Sequence, residues 1–195
     1  MAVTIRPFSL DRMVSAVEKV RQRLLRATSA MDAAKIPYAV AGGNAVALWV
    51  SRVDESAVRN TKDVDILVRR EDFARVKQAL EGNGFVHRRA AGLEIFIDGE
   101  QGKARDGVHI VFANEKVRPE ELLANPDVSD SEATDQFRVL SLQALVRIKL
   151  TAFRDKDRVH LRDLIEIGLV DEQWLGRVPA ELAIKLKLLL DNPEG

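Results

Sequence analysis

The chain has 195 residues, with 30 Lys or Arg balanced by 30 Asp or Glu, and no cysteine. That length suits one domain, or a core with a helical appendage. The balanced charge excludes a strong global field toward nucleic acid or a membrane surface, though a local basic patch stays open, and the lack of cysteine excludes disulfides and thiolate metal sites. The opening MAVTIRPFSLDRM has no continuous apolar h-region, and no apolar run approaches the ~20 residues of a membrane span, so a soluble cytoplasmic protein is expected.

Over residues 9–35, Met13, Val14, Val17, Val20, Leu24 and Met31 recur near helical spacing, with Ser9 as a plausible N-cap and Pro37 as the stop. This predicts a long amphipathic helix. Its basic cluster (Arg21, Arg23, Arg26) is read as a solvated face, with RNA contact as the alternative.

Residues 38–70, YAVAGGNAVALWVSRVDESAVRNTKDVDILVRR, organise the rest of the chain. A short apolar run ends in Gly42-Gly43, a helical pattern follows, and a second apolar run (64–68) carries Asp65, with Asp63 just before it. Residues two apart on a strand face one side, so the carboxylates of Asp63 and Asp65 should project together. Two such charges repel each other unless a cation sits between them. The glycines would let backbone N–H groups approach a phosphate at the helix start, where the dipole also favours an anion. Cation and phosphate are therefore the expected ligands, with a capping or loop-stabilising role for Asp63 and a solvent-facing one for Asp65 as the bland alternative. Asn44 would present its amide to phosphate or cap the helix; Thr61 would donate to phosphate or fix the loop. Arg52, Arg59 and Lys62 would either grip a triphosphate or balance local acids.

Residues 71–81 read as a helix stopped by Gly82-Asn83-Gly84, and strands are expected at 85–88, 93–97 and 108–112, separated by Ala91-Gly92 and by the polar segment 98–107. The fold class is α/β (α+β), a mixed sheet of about five strands flanked by helices. A polar loop with Pro119 and Asn125-Pro126 reads as a connector to a C-terminal helical part, in which Ser141 caps a helix and a leucine-rich helix closes the chain. The expected division is 1–115 for the core with its long N-terminal helix, and 116–195 for the helical part packed on it. Leu188 to Leu190 fit either a dimer face or burial against the core.

Gly42-Gly43 followed by Thr61-x-Asp63-x-Asp65 resembles the signature of the nucleotidyltransferase superfamily, the polymerase-beta-like fold, and is most similar to the small bacterial abortive-infection, toxin-type group. The resemblance implies transfer of a nucleoside monophosphate from a nucleoside triphosphate to an acceptor hydroxyl. Mg²⁺ or Mn²⁺ would be the cofactor, on Asp63 and Asp65, and the phosphates would lie on Gly42 and Gly43. The acceptor would be a protein or a tRNA end, with a cognate antitoxin protein as a further partner and no membrane. LVRIKLTAFRDKDRVHLRDL extends the resemblance, placing Lys149 and Asp163 at the nucleotide, Asp163 as counter-ion to Lys149, with Lys156 and Asp157 in the charged turn between them. His160 and Arg158 read as solvated or scaffold residues.

The strand GVHIVF departs from the pattern, because relatives carry a third carboxylate where this chain has His109. His109 then acts as base or as ligand to a softer metal, or Asp106 or Glu94 supplies the acid. The remaining alternative is a catalytically lapsed module that binds nucleotide or a partner protein.

Overall fold

The computed structural model describes residues 9–90 and 92–193. The opening MAVTIRPF, read above for a leader, and Ala91 of the expected separator lie outside the described residues.

Ser9 caps α1 (Leu10–Ala33), its hydroxyl accepting from the Arg12 N–H at 3.4 Å. The apolar stripe of this helix divides. Leu24, Ala27, Ala30 and Met31 are buried, while Leu10, Met13, Val14 and Val17 remain exposed. The basic cluster turns to partners within the chain: Arg23 donates to the Lys62 carbonyl at 3.3 Å, Arg26 pairs with Asp98 and lies over the Phe85 ring, and Arg21 pairs with Glu18.

From Pro37 the chain enters β1 (Tyr38–Ala41), in which every residue is buried. It then turns at the glycines into α2 (Gly42–Ser51) and returns as β2 (Val64–Val68), antiparallel to β1. In β2, rich in β-branched side chains suited to a pleated surface, Asp65 is the one residue that escapes full burial. A turn of 3-10 helix at Arg70–Asp72 precedes α3 (Phe73–Glu81), so this helix starts two residues later than expected. Strands β3 (Phe85–Ala90), β4 (Leu93–Asp98) and β5 (Val108–Phe112) follow. β5 lies parallel to β2, with His109 opposite Asp65.

The expected mixed sheet is present and larger than five strands. Two short strands, β6 (Ser131–Ala133) and β7 (Arg138–Leu140), lie in the segment read as a connector, and β7 joins β1 in parallel through Val40 and Val139. The seven strands run in the order β3-β4-β5-β2-β1-β7-β6. Three residues are too few to show a period of two, which is why they are invisible in the sequence. The rest of this segment is pinned as well. Asn125 donates to the Phe112 carbonyl at 2.9 Å, and Arg69 forms a two-pronged pair with Asp127.

Ser141 caps α4 (Leu142–Ala152), which ends at Phe153 in the left-handed region at φ +47°. α5 (Asp155–Glu166) and α6 (Ala180–Asp191) follow; α4, α5 and α6 pack on one another, and α4 and α5 also touch α2. On α6, Leu182, Leu186 and Leu189 face inward, and Ile184 and Leu188 face out. Six α-helices thus flank the sheet among the described residues. No helix among them is long and apolar enough to cross a membrane.

Candidate functional site

The parallel register of β2 and β5 sets Asp65 beside His109, and Asp63, two residues earlier, joins them. One ligand atom from each of the three lies within 4.8 Å of the others. His109 Nδ1 is 3.8 Å from Asp63 Oδ2 and 3.7 Å from Asp65 Oδ1, too long for hydrogen bonds but close enough for strong attraction. The other ring nitrogen, Nε2, donates to the Ala104 carbonyl at 2.8 Å. That bond assigns the tautomer, leaving Nδ1 to face the carboxylates.

The charges respond accordingly. Asp65 raises the His109 pKa above its ordinary 6.5 against the opposing effect of burial, with the Ala104 carbonyl and Asp63 adding to it. Burial pushes the Asp65 carboxyl up, but His109, Lys156 and Lys149 outweigh it and hold the group below the usual carboxylate range. Asp63 is fixed from two sides. The Thr61 hydroxyl donates to its Oδ1 at 2.6 Å, and the Asn44 amide donates to its backbone carbonyl at 2.8 Å. Thr61 thus holds the carboxylate itself, and Asn44 holds the backbone that carries it. Asn44 does not cap α2, whose N-cap is Ala41 with no side-chain bond.

Gly42 sits at φ +61°, and a Cβ built there would lie 1.8 Å from Asp65 Oδ2. At Gly43 a Cβ would meet Thr61 Cβ at 2.9 Å. Both glycines thus let the start of α2 press against the carboxylate strand and its loop. The first N–H groups of a helix lack partners within it. Here they open beside the Asp63–Asp65 pair.

Two cavities meet at this point, sharing Asp65 and Lys156 in their walls. The first, of about 360 Å³, is walled by Gly43, Thr61, Asp63 and the cations Lys62, Lys156 and Arg105. The second, of about 480 Å³, runs past Gly42, His109, Lys149 and Arg154 toward Arg70 and Phe112. Neither Lys62 nor Lys156 has an ion-pair partner among the described residues, whereas Arg105 lies 3.5 Å from Asp106. Of the three cations weighed in the loop, Lys62 lines the first of these two cavities and the other two line neither. Arg59 pairs with Asp163 at 2.7 Å, and Arg52 pairs with Glu132 and covers the Trp49 ring.

The helical part supplies a second charged cluster. Lys149, 3% exposed, lies with Nζ 3.1 Å from Oδ1 of the fully buried Asp157. The expected Lys149–Asp163 pair is thus corrected: Asp157, from the charged turn, takes Lys149, and Arg59 takes Asp163. Asp157 also accepts from Arg154 Nε at 2.7 Å and from the Arg154 N–H at 3.2 Å, closing the first turn of α5. Burial drives the Lys149 pKa down, and Asp157 opposes this. His160 lies partly buried in the wall of the first cavity, its pKa pushed down to about 4 by burial and by Lys149.

Neither alternative acid completes the Asp63–Asp65 pair. Glu94 is bound to His87 at 2.7 Å and lies 3.5 Å from Arg89, and Asp106 faces Arg105. Sequence reasoning missed Arg105, Arg154 and the Ala104 carbonyl. Arg105 carries no motif, Arg154 lies in the helical segment LVRIKLTAFRDKDRVHLRDL but was not singled out there, and a backbone oxygen has no signature in sequence.

The donor set of two carboxylates and an imidazole with its tautomer fixed suits a divalent cation. A family model described as an uncharacterised nucleotidyltransferase matches residues 10–167. The solution structure of the antibiotic-resistance factor ANT(2'')-Ia superposes with a TM-score of 0.56 at 14% identity, over 90% of this chain and 92% of that one. An antigenic nucleotidyltransferase-like protein from Paracoccidioides brasiliensis gives 0.54 at 16% identity, over 92% of this chain and 91% of that one. At such identities the two superpositions establish the fold. No curated protein matches the chain.

Proposed function

Since the chain belongs to the nucleotidyltransferase family, we propose that it moves a nucleoside monophosphate from a nucleoside triphosphate to an acceptor hydroxyl, releasing pyrophosphate, with a divalent cation held by Asp63 and Asp65. The observation that carries this reading is the meeting of the carboxylate pair with the start of α2 at Gly42, where a single methyl group would overlap Asp65. Metal ligands and free backbone donors then address adjacent oxygens of one polyphosphate.

In this reading the phosphates lie along Gly42 and Gly43, with Lys62 and Lys156 from the first cavity neutralising their charge. Thr61 and Asn44 hold Asp63 in place. Lys149 belongs to the nucleotide-facing wall through the second cavity, while Asp163 acts from behind it by anchoring Arg59 in the loop before Thr61. The bound ion, Mg²⁺ or Mn²⁺, supplies charge neutralisation and orientation at the reacting phosphate. The acceptor oxygen, from a protein side chain or a tRNA end, enters through the second cavity. The reaction takes place in the cytoplasm, where triphosphates and such acceptors meet, and a cognate antitoxin would restrain it.

A lapsed binding module would be favoured by a His109 turned away from the carboxylates. Instead its Nδ1 faces both of them, which supports an active site. The test is incubation of the protein and of Asp63→Ala/Asp65→Ala with α-phosphate-labelled nucleoside triphosphates and a cell extract. Label transferred to protein or RNA by the first and not by the second supports the reading. No transfer with any of the four nucleotides and either metal overturns it.

A further inference from the structure

Resting on that metal-dependent reading, we infer that His109 is itself a ligand of the bound ion and that the site therefore selects a nitrogen-accepting cation, with Mn²⁺ ranked above Mg²⁺. Three observations lead there. The Nδ1 of His109 faces both carboxylates and lies about equally far from each, 3.8 and 3.7 Å, as a third corner of a single site. The Nε2–H is spent on the Ala104 carbonyl at 2.8 Å, so the imidazole reaches the site with its orientation and tautomer already set. This is the outer-shell arrangement that ligating histidines commonly use. Lastly, Glu94 and Asp106 are engaged elsewhere, so no further acid replaces the imidazole as third donor among the described residues.

The chemistry then decides the ion. Mg²⁺ demands oxygen ligands and dehydrates reluctantly. Imidazole in place of a carboxylate removes both an oxygen and a negative charge, and each loss falls more heavily on the hard ion. Transition-metal ions accept nitrogen, with affinity rising from Mn²⁺ onward along the first row.

Pulsed electron paramagnetic resonance of the full chain titrated with Mn²⁺ alone tests this without recourse to activity. The expected result is nitrogen modulation from one imidazole, absent in His109→Asp and His109→Ala. Replacing a ligand should cost at least as much as replacing an outer-shell partner, so in His109→Ala the Mn²⁺ affinity falls by roughly tenfold or more. In His109→Asp the preference shifts back toward Mg²⁺ in competition titrations. Mn²⁺ bound in a manner that Asp63→Ala/Asp65→Ala abolishes, but with no nitrogen modulation, overturns the inference and leaves the metal-dependent reading standing. No Mn²⁺ binding by the unaltered protein overturns both.

Discussion

Two charged clusters border the second cavity, and they are built on opposite rules. Around Lys149, Asp157 and Arg154 every charge has a partner. The acid is fully buried, and its oxygens accept from Lys149 Nζ and from three N–H groups of Arg154. Around Asp63, Asp65 and His109 two carboxylates face each other with only an imidazole, 3.7–3.8 Å away and hydrogen-bonded to neither, between them, and the nearby Lys62 and Lys156 are uncommitted. The first arrangement joins α4 to α5. The second leaves charge for something from outside to satisfy, and that is the mark of a site.

The difference can be broken most forcefully in the closed cluster. Asp157→Ala strands a buried lysine and uncaps α5, and removing one partner of a buried pair costs about 3–5 kcal/mol. Urea denaturation should show this, and Lys149→Met with Asp157→Leu should recover most of it, because apolar replacement of a whole pair is often neutral. Next comes Gly42→Ala, which places a methyl group against Asp65 in a left-handed backbone. The expected loss is about 1–3 kcal/mol of stability, together with metal binding by titration. By contrast, Asp63→Ala/Asp65→Ala should cost less than Asp157→Ala, since relief of like-charge repulsion offsets part of the lost contacts with Thr61 and the nearby cations. Should the open pair prove as costly to remove as Asp157, the contrast between the clusters would fall.

Smaller effects sharpen the picture. Thr61→Val removes the donor to Asp63 Oδ1. It should cost about 1 kcal/mol and lower metal affinity roughly tenfold, as read by denaturation and by metal titration.

His160 offers a pH test. Its folded pKa of about 4 lies below the ordinary 6.5, so the unfolded chain binds the proton first as pH falls. Stability from this group is present above 6.5 and is lost as pH drops toward 4. His160→Gln should flatten the stability curve in that window; an unchanged slope would mean that His160 is solvated.

How much of this was legible in the sequence follows from distance along the chain. The turn Gly42-Gly43, the helix after it and Asp63-Val-Asp65 are near neighbours, and the spacing of apolar residues places both carboxylates on one strand end without further information. The mixed sheet is equally readable where strands span four to six residues. It failed at β6 and β7, whose three residues each are placed by docking beside β1 rather than by pattern.

Charge partners were the least legible. Arg59 and Asp163 are 104 residues apart, and nothing local says that they meet. Lys149 chose Asp157 over Asp163 because Asp157 sits at the start of α5, in the charged turn after α4, where it also binds Arg154. His109 was visible as a departure, but its bond to Ala104, which fixes the ring, depends on the turn of 3-10 helix before β5.

On this reading Asp63 and Asp65 form a site for a metal-bound nucleoside triphosphate. Isothermal titration of the purified protein with ATP, GTP, CTP and UTP, each with Mg²⁺ and then Mn²⁺, tests it most directly. The expected binding needs the metal, is tighter with Mn²⁺, and vanishes in Asp63→Ala/Asp65→Ala. Binding that survives the double substitution, or no binding of any nucleotide with either metal, would contradict it.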